Sequence, residues 1–318
     1  MTGIVYYPDD QPGISRRRWG RGFRYLAPDG TSIEDACERK RLTALAVPPA
    51  YEDVWMCPLP NGHLLATGRD AKNRKQYRYH PDWAAERAKT KFDLLPEFGR
   101  LLPRIRRRVR RDLGENAGDK TFALASAVAL IDRAALRVGN DEYARENGSY
   151  GALTLKQRHI TLSGTRIQLN YTAKGGKRVR KQMADRTLAR TLNKIGDLPG
   201  ATLLSWIDDD GVPQTLSSQA LNQYIASICD HEEITAKTFR TWAGTLAAFE
   251  VAQAGPATIK EMSEAAAERL HNTATIARNS YIHPEVVALA NSDRALPAPV
   301  DIADLRVSEQ KLLACLDR

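Results

Sequence analysis

The sequence predicts an α+β protein in two parts: a small β-rich N-terminal domain over residues 1–80, and a mainly helical domain over 81–318 that contains a small antiparallel sheet. Three observations carry this reading. Residues 1–80 are rich in glycine, proline and aromatics, and their apolar residues lack helical spacing. From residue 81 onward, long stretches repeat apolar residues every third or fourth position. Between about 150 and 184, short alternating runs are separated by glycine-containing turns. A chain of 318 residues is long enough to bury more than one core.

In the N-terminal part, "GFRYLAP", "HLLATGR" and "KQYRYHP" read as strands bounded by Asp-Gly, Asn-Gly and His-Pro turns. "SIEDACERKRLTAL" reads as a helix that opens at a serine with a glutamate close behind. The stretch "PDWAAERAKTKFDLLPEFGRLLPRIRRRVRRDL" reads as helix broken at its prolines, with Leu101, Ile105, Val109 and Leu113 as its buried stripe. Six arginines within 104–111 then cover the solvent side, a face that could also touch phosphates.

"DKTFALASAVALIDRAALRVGN" reads as a strong helix with Asp119 as its N-cap and Gly139 as its stop. "YGALTLK", "HITLSG", "RIQLNYTA" and "KRVRKQM" read as strands of a meander, turning at Ser163-Gly164-Thr165 and Lys174-Gly175-Gly176. The rest is mostly helical, with Phe239, Trp242, Leu246 and Phe249 on one side of a helix. A proline-containing linker and a short helix form a C-terminal tail from about residue 291.

The charge balance narrows the partner. Lys and Arg number 47 against 38 Asp and Glu, a formal +9, and such a surplus favours a polyanion, most often nucleic acid. The four cysteines lack C-x-x-C spacing and the six histidines lack zinc spacing, so neither a metal site nor a disulfide framework is expected. The N-terminus lacks the pattern of a signal peptide, and no apolar run reaches about 18 residues, so a cytoplasmic protein with no membrane partner is expected. Asp208, Asp209 and Asp210 in "WIDDDGVP" read as an acidic turn rather than a magnesium site.

Several residues could do chemistry, though each has an ordinary explanation when taken singly. Arg137 would sit at a helix end, where a cation suits the dipole. Lys174 would be an exposed lysine at a hairpin tip, and Arg240 a helical arginine paired with a carboxylate. Tyr281 would be a polar-flanked aromatic, with His271 and Asn272 ten and nine residues upstream. Their order changes the reading. "LRVGNDEYARENGSYGALTLKQRHI", "NYTAKGGK", "KTFRTWAGT" and "NTATIARNSYI" together resemble the type IB DNA topoisomerase family, closest to its compact bacterial and poxvirus-like members. With "ATGRDAKNRKQYRYH" the resemblance extends over roughly residues 30–285.

The resemblance implies relaxation of supercoiled duplex DNA by transient single-strand cleavage. Tyr281 would attack a phosphodiester, leaving a 3′-phosphotyrosine and a free 5′-hydroxyl, and resealing would need neither ATP nor metal. Arg137 and Arg240 would neutralise the non-bridging oxygens, and Lys174 would protonate the leaving 5′ oxygen. Arg133, one turn before Arg137, is an alternative ligand, but only Arg137 precedes the V-G-N block. The position nine residues before the tyrosine, a histidine in many members, falls here on Asn272. An amide can donate to a phosphate oxygen but carries no charge and gives no proton, so His271 is expected to point elsewhere.

Gln76, Tyr77 and Tyr79 of the N-terminal domain and Tyr143 of the larger one would face the DNA. The two domains would clamp the duplex, and the protein would act as a monomer associated with the nucleoid. A tyrosine recombinase-like strand transferase and a non-catalytic DNA-binding clamp are the alternatives.

Overall fold

The computed structural model describes residues 3–292 and 295–317, apart from the Tyr143 side chain. The chain divides into two compact units, Met1–Thr90 and Lys91–Arg318. The expected boundary at 81 falls at the start of the helix that runs across this division.

The first unit contains β1 (Ile14–Trp19), β2 (Gly22–Leu26), α1 (Ala36–Ala44), β3 (Glu52–Met56), β4 (Leu64–Arg69), β5 (Lys75–Tyr79) and the start of α2 (Pro81–Asp93). Its five strands form one antiparallel sheet in the order β2-β1-β3-β4-β5. One face buries Ile14, Tyr25, Met56 and Ala66 together with Leu42 of α1. The register fixes what lies on the other face. Leu26 and Trp55 pair with Ser15, Trp55 with Thr67, and Thr67 with Tyr77. Because side chains alternate along a strand, Tyr77 and Tyr79 share that face with Arg17, Trp19 and Arg24. The N-terminal segment covers its middle: Asp9 accepts from Thr67 Oγ1 at 3.0 Å and pairs with Lys75 at 2.5 Å, and Tyr7 stacks on Trp55.

The second unit contains α3 (Leu95–Asp112), α4 (Lys120–Ala134), α5 (Asp141–Asn147), a meander of β6 (Ile160–Ser163), β7 (Arg166–Ala173) and β8 (Lys177–Ala184), then α6 (Arg186–Gly196). A small hairpin of β9 (Ser205–Ile207) and β10 (Pro213–Thr215) precedes α7 (Ser218–Cys229), α8 (Ala236–Ala254), α9 (Ile259–Leu270), α10 (Ala274–Tyr281), α11 (Pro284–Val287) and α12 (Val307–Leu316). The core forms where α3, α4 and α8 meet. Phe98, Phe122 and Phe249 are fully buried, and Phe98 meets Phe239 and Trp242 edge-on. The inward residues of β7, Ile167, Leu169, Tyr171 and Ala173, pack into the same core.

The structure corrects several expectations. The helix predicted from residue 81 breaks at Leu94, and Pro103 lies inside α3. The missing donor costs about 3 kcal/mol, which full burial of Phe98, Leu102 and Ile105 on either side outweighs. The buried face of α3 runs through Phe98, Leu102, Ile105 and Val109, with Leu101 and Leu113 at its margin. The arginine cluster does face solvent at Arg104, Arg107, Arg110 and Arg111, but its members are held in ion pairs. Arg104 pairs with Asp230, Arg106 with Asp132 and Glu309, Arg107 and Arg110 with Asp304, and Arg108 and Arg111 with Asp112.

Helix α1 is capped by Asp35, which accepts from the Cys37 and Glu38 amides. Helix α4 stops at Ala134, where Ala135 takes the left-handed conformation, so Arg137 lies beyond the helix. "YGALTLK" holds a short 3-10 turn, Ala152–Thr154, instead of a strand, and a second such turn, Gln157–His159, follows it directly. Its amides at Ala152 and Leu153 donate to the carbonyls of Arg137 and Val138, joining the two motif blocks directly. Gly151 allows this: a side chain there would meet the Gly139 nitrogen at 2.5 Å and the Arg137 carbonyl oxygen at 2.6 Å. Among the described residues, no helix is long and apolar enough to cross a membrane. Nor, among them, do three His, Cys, Asp or Glu side chains gather as a metal site would need.

Candidate active site

Two helix ends converge in the second unit. After α4, the left-handed Ala135 turns the chain into an extended segment carrying Arg137, whose carbonyl is held by the Ala152 amide at 2.8 Å. Helix α9 begins at a Thr258/Glu261 capping box and ends at His271, itself left-handed at φ 50° and ψ 51°. The next residue, Asn272, accepts a hydrogen bond from Arg137 Nη2 at 2.5 Å. Of the two neighbours considered from the sequence, Asn272 is the one bonded to Arg137.

Helix α8 supplies the third member. Arg240 is only 4% exposed and donates to two backbone carbonyls, that of Ala135 after α4 and that of Leu270 at the end of α9, the latter at 3.1 Å. One guanidinium thus ties both helix ends. Its Nε, the Asn272 amide nitrogen and His271 Nε2 are buried without a hydrogen-bond partner. Buried polar atoms rarely stay unpaired, so these three make this cluster the candidate for holding a polar ligand.

Tyr281 closes the group. Thr273 caps α10, accepting from the Ile276 amide, and Tyr281 is the helix's last residue. Thr245 of α8 donates to the Tyr281 carbonyl at 3.0 Å and accepts from the His283 amide at 3.1 Å, while Lys91 donates to the Ser280 carbonyl at 2.9 Å. The Arg240 guanidinium carbon lies 5.2 Å from the centre of the Tyr281 ring. Burial pushes the phenol up, but Arg240, Arg137 and Lys237 together bring it below its ordinary value. Burial and the surrounding Lys181, Arg240, Lys177 and Arg137 push His271 down to about 4, so it is a neutral imidazole near pH 7.

Arg137, Arg240, Asn272 and Tyr281 therefore come together, whereas Lys174 stands exposed at the β7–β8 hairpin tip, next to Gly175 and Gly176 at positive φ. Arg133 pairs with Asp185 at 2.9 Å instead of joining the site. In the first unit, Tyr77 and Tyr79 are 52% and 46% exposed and stack in parallel at 6.1 Å. Both rings therefore lie on the surface and not in the core of the unit. Gln76 points the other way along the strand and donates to Asp70 at 3.1 Å. The Tyr143 side chain lies outside the described residues.

Sequence reasoning missed Lys91, Thr245 and Gly244, all of which hold Tyr281 in place. A side chain at Gly244 would meet Tyr281 Cβ and its carbonyl oxygen at 3.0 Å. It also missed Lys181 on β8, whose one signal was a lysine at an inward position of an alternating strand.

Comparison with known proteins places these features in a family. The family profile described as "Eukaryotic DNA topoisomerase I, catalytic core" matches residues 73–298, and "Bacterial DNA topoisomerase IB, N-terminal domain" matches residues 22–70. The chain is 30% identical over 238 residues to DNA topoisomerase 1B of Acanthamoeba polyphaga mimivirus, covering 74% of this chain and 70% of that one. It is 27% identical over 149 residues to DNA topoisomerase 1B of vaccinia virus (strain Copenhagen), covering 47% of each. Among solved structures, the XerH site-specific recombinase aligns over 57% of this chain and 46% of its own, with a TM-score of 0.40 and 14% identity.

Proposed function

The chain belongs to the type IB DNA topoisomerase family, sharing its eukaryotic-type catalytic core, and from that premise we propose how its residues act on DNA. Tyr281 Oη attacks a phosphodiester of duplex DNA. The phenolic proton passes to solvent, the new P–O bond to tyrosine forms as the bond to the 5′ oxygen breaks, and Lys174 gives that oxygen its proton. The strand then rotates about its intact partner, and the 5′-hydroxyl attacks the phosphotyrosine to reseal. One phosphodiester is exchanged for another of similar energy, so the cycle needs no ATP. Charge neutralisation at the phosphate comes from side chains, so no metal is required of the chemistry.

Arg137 and Arg240 act on the non-bridging oxygens with the Asn272 amide as a third donor, an arrangement worth several kcal/mol in a site sheltered from water. The observation that carries this reading is the gathering of two arginines and an unpaired amide donor around a half-buried tyrosine whose phenol is already acidified. Gln76, Tyr77, Tyr79 and Tyr143 contact the duplex. Because phosphates dominate such contacts, binding weakens steeply with salt and selects sequence only modestly. The protein acts as a monomer.

The test is relaxation of supercoiled plasmid in EDTA by the wild type and by Tyr281→Phe. Relaxation that survives chelation and disappears in the variant supports the reading, as does an adduct on the 3′ end of the broken strand. No relaxation by the wild type at low salt, or a 5′ adduct, would overturn it.

A further inference from the structure

On the inward face of β8, Lys181 lies directly across from buried Leu169 and two residues from buried Val179. Alternation calls for an apolar side chain there. The lysine instead donates through Nζ to the carbonyls of Ala134 at 2.5 Å and Arg269 at 2.7 Å. These belong to the last turns of α4 and α9, where carbonyls lack helical partners and the helix dipole favours a cation. One residue further along each helix, Ala135 and Leu270 give their carbonyls to Arg240. Two cations therefore lace the same pair of helix ends at successive residues. Arg137 follows three residues after Ala134, and Asn272 three after Arg269.

We propose that Lys181 is a positioning residue for strand cleavage: its ammonium fixes the spacing of the α4 and α9 ends at which Arg137 and Asn272 act on one phosphate. The proposal rests on the type IB roles given above to those two residues. Lys181 touches neither the phosphate nor the tyrosine. Its charge also responds to its surroundings. Arg269 of α9 and Arg240 of α8 face it with like charge, the neutral His271 lies just past α9, and Arg133, Arg180, Glu250 and Glu268 line the open cleft it borders. Burial, with Arg269 and Arg240, brings the ammonium down to about 7. The positioning charge is therefore half present near pH 7, nearly complete a pH unit lower, and lost as pH rises.

Three proteins separate the possibilities: wild type, Lys181→Met and Lys181→Arg. The measurements are the single-turnover rate of covalent adduct formation on a duplex DNA from pH 6 to 9, and the affinity for uncleaved duplex. Lys181→Met is expected to cleave about 10²-fold more slowly near pH 6.5, the scale of an ångström-level misplacement, with affinity nearly unchanged. Lys181→Arg, charged at every pH used, restores most of the rate and removes the component of the profile that falls above pH 7. Wild-type and Lys181→Arg profiles that superimpose across the range would overturn the proposal, whether or not Lys181→Met folds. So would a methionine variant that keeps the wild-type rate.

Amide hydrogen exchange at residues 135–138 and 270–273 gives a readout independent of activity. Raising the wild type from pH 6 to 9 should loosen these segments beyond the intrinsic pH effect, and Lys181→Arg should suppress that change. Equal behaviour of the two proteins would refute the positioning role even if the wild type failed to cleave DNA. In that event the functional reading would fall separately.

Discussion

Arg137 and Asn272, 135 residues apart in the chain, are joined by a hydrogen bond of 2.5 Å from guanidinium to amide oxygen. The bond uses the acceptor end of the amide and leaves its NH2 buried without a partner. The same amide thus orients an arginine and keeps a donor for a third party.

Asn272→Ala should slow covalent adduct formation by about 10²-fold, the usual effect of removing one donor aimed at developing charge. Asn272→His should stay active, since a neutral imidazole can accept from Arg137 with one nitrogen and donate with the other. His271→Ala should change the rate little, because Asn272, and not His271, is the neighbour bonded to Arg137. A large loss from His271→Ala in the adduct assay would show that the wrong neighbour has been assigned.

His271 should instead be visible in stability. Its pKa is about 4 when folded, below the unfolded value near 6.5. Between those values the unfolded chain binds a proton that the folded chain refuses, so stability falls as pH drops from about 6.5 toward 4. His271→Asn keeps a residue tolerant of the left-handed conformation and lacks the titration. Melting temperatures from pH 4 to 7 should slope less for the variant, and parallel curves would sink the assignment.

Gly244→Ala tests how closely α8 supports the tyrosine. The added methyl would sit 2.8 Å from Leu270 Cδ1 and 3.0 Å from both Tyr281 Cβ and the Tyr281 carbonyl oxygen. The backbone of Tyr281 must shift, and adduct formation should slow by about 10²-fold while duplex affinity is retained. Wild-type single-turnover rates in this variant would mean that the nucleophile tolerates displacement.

Glu309 is completely buried between Arg106 and Arg306, and Arg106 also pairs with Asp132. Removing the carboxylate leaves a largely buried guanidinium short of one partner, so Glu309→Ala should cost about 3–5 kcal/mol. Urea denaturation measures this directly. A loss under about 1 kcal/mol would mean that the network contributes little.

Strong local signals were legible. Gly175 and Gly176 marked the β7–β8 turn, and Phe239, Trp242, Leu246 and Phe249 marked the inner face of α8, because turn chemistry and helical period act within a few residues. "YGALTLK" misled because its alternation matches a strand, while its amides are taken by the carbonyls of Arg137 and Val138. Pro103 misled because a local penalty was outweighed by burial that only tertiary structure supplies. The order of Arg137, Lys174, Arg240 and Tyr281 was readable through family resemblance. The convergence of two helix ends on Arg240 and Lys181 was not, since no local pattern records which carbonyls a distant cation will meet.

The ion pairs of α3 also redistribute the protein's charge. Its seven arginines, six of them within 104–111, look like the chain's main attraction for a polyanion, yet each already faces a carboxylate. Arg17, Arg18, Arg21 and Arg24 of the β1–β2 hairpin, among the described residues, are in no ion pair, and no acidic residue lies between 11 and 28. They flank Trp19, 66% exposed, with Arg24 at 4.6 Å from its ring. A passing polyanion would therefore meet arginines already shared with carboxylates where the sequence is most basic, and arginines outside any ion pair at the edge of a small sheet.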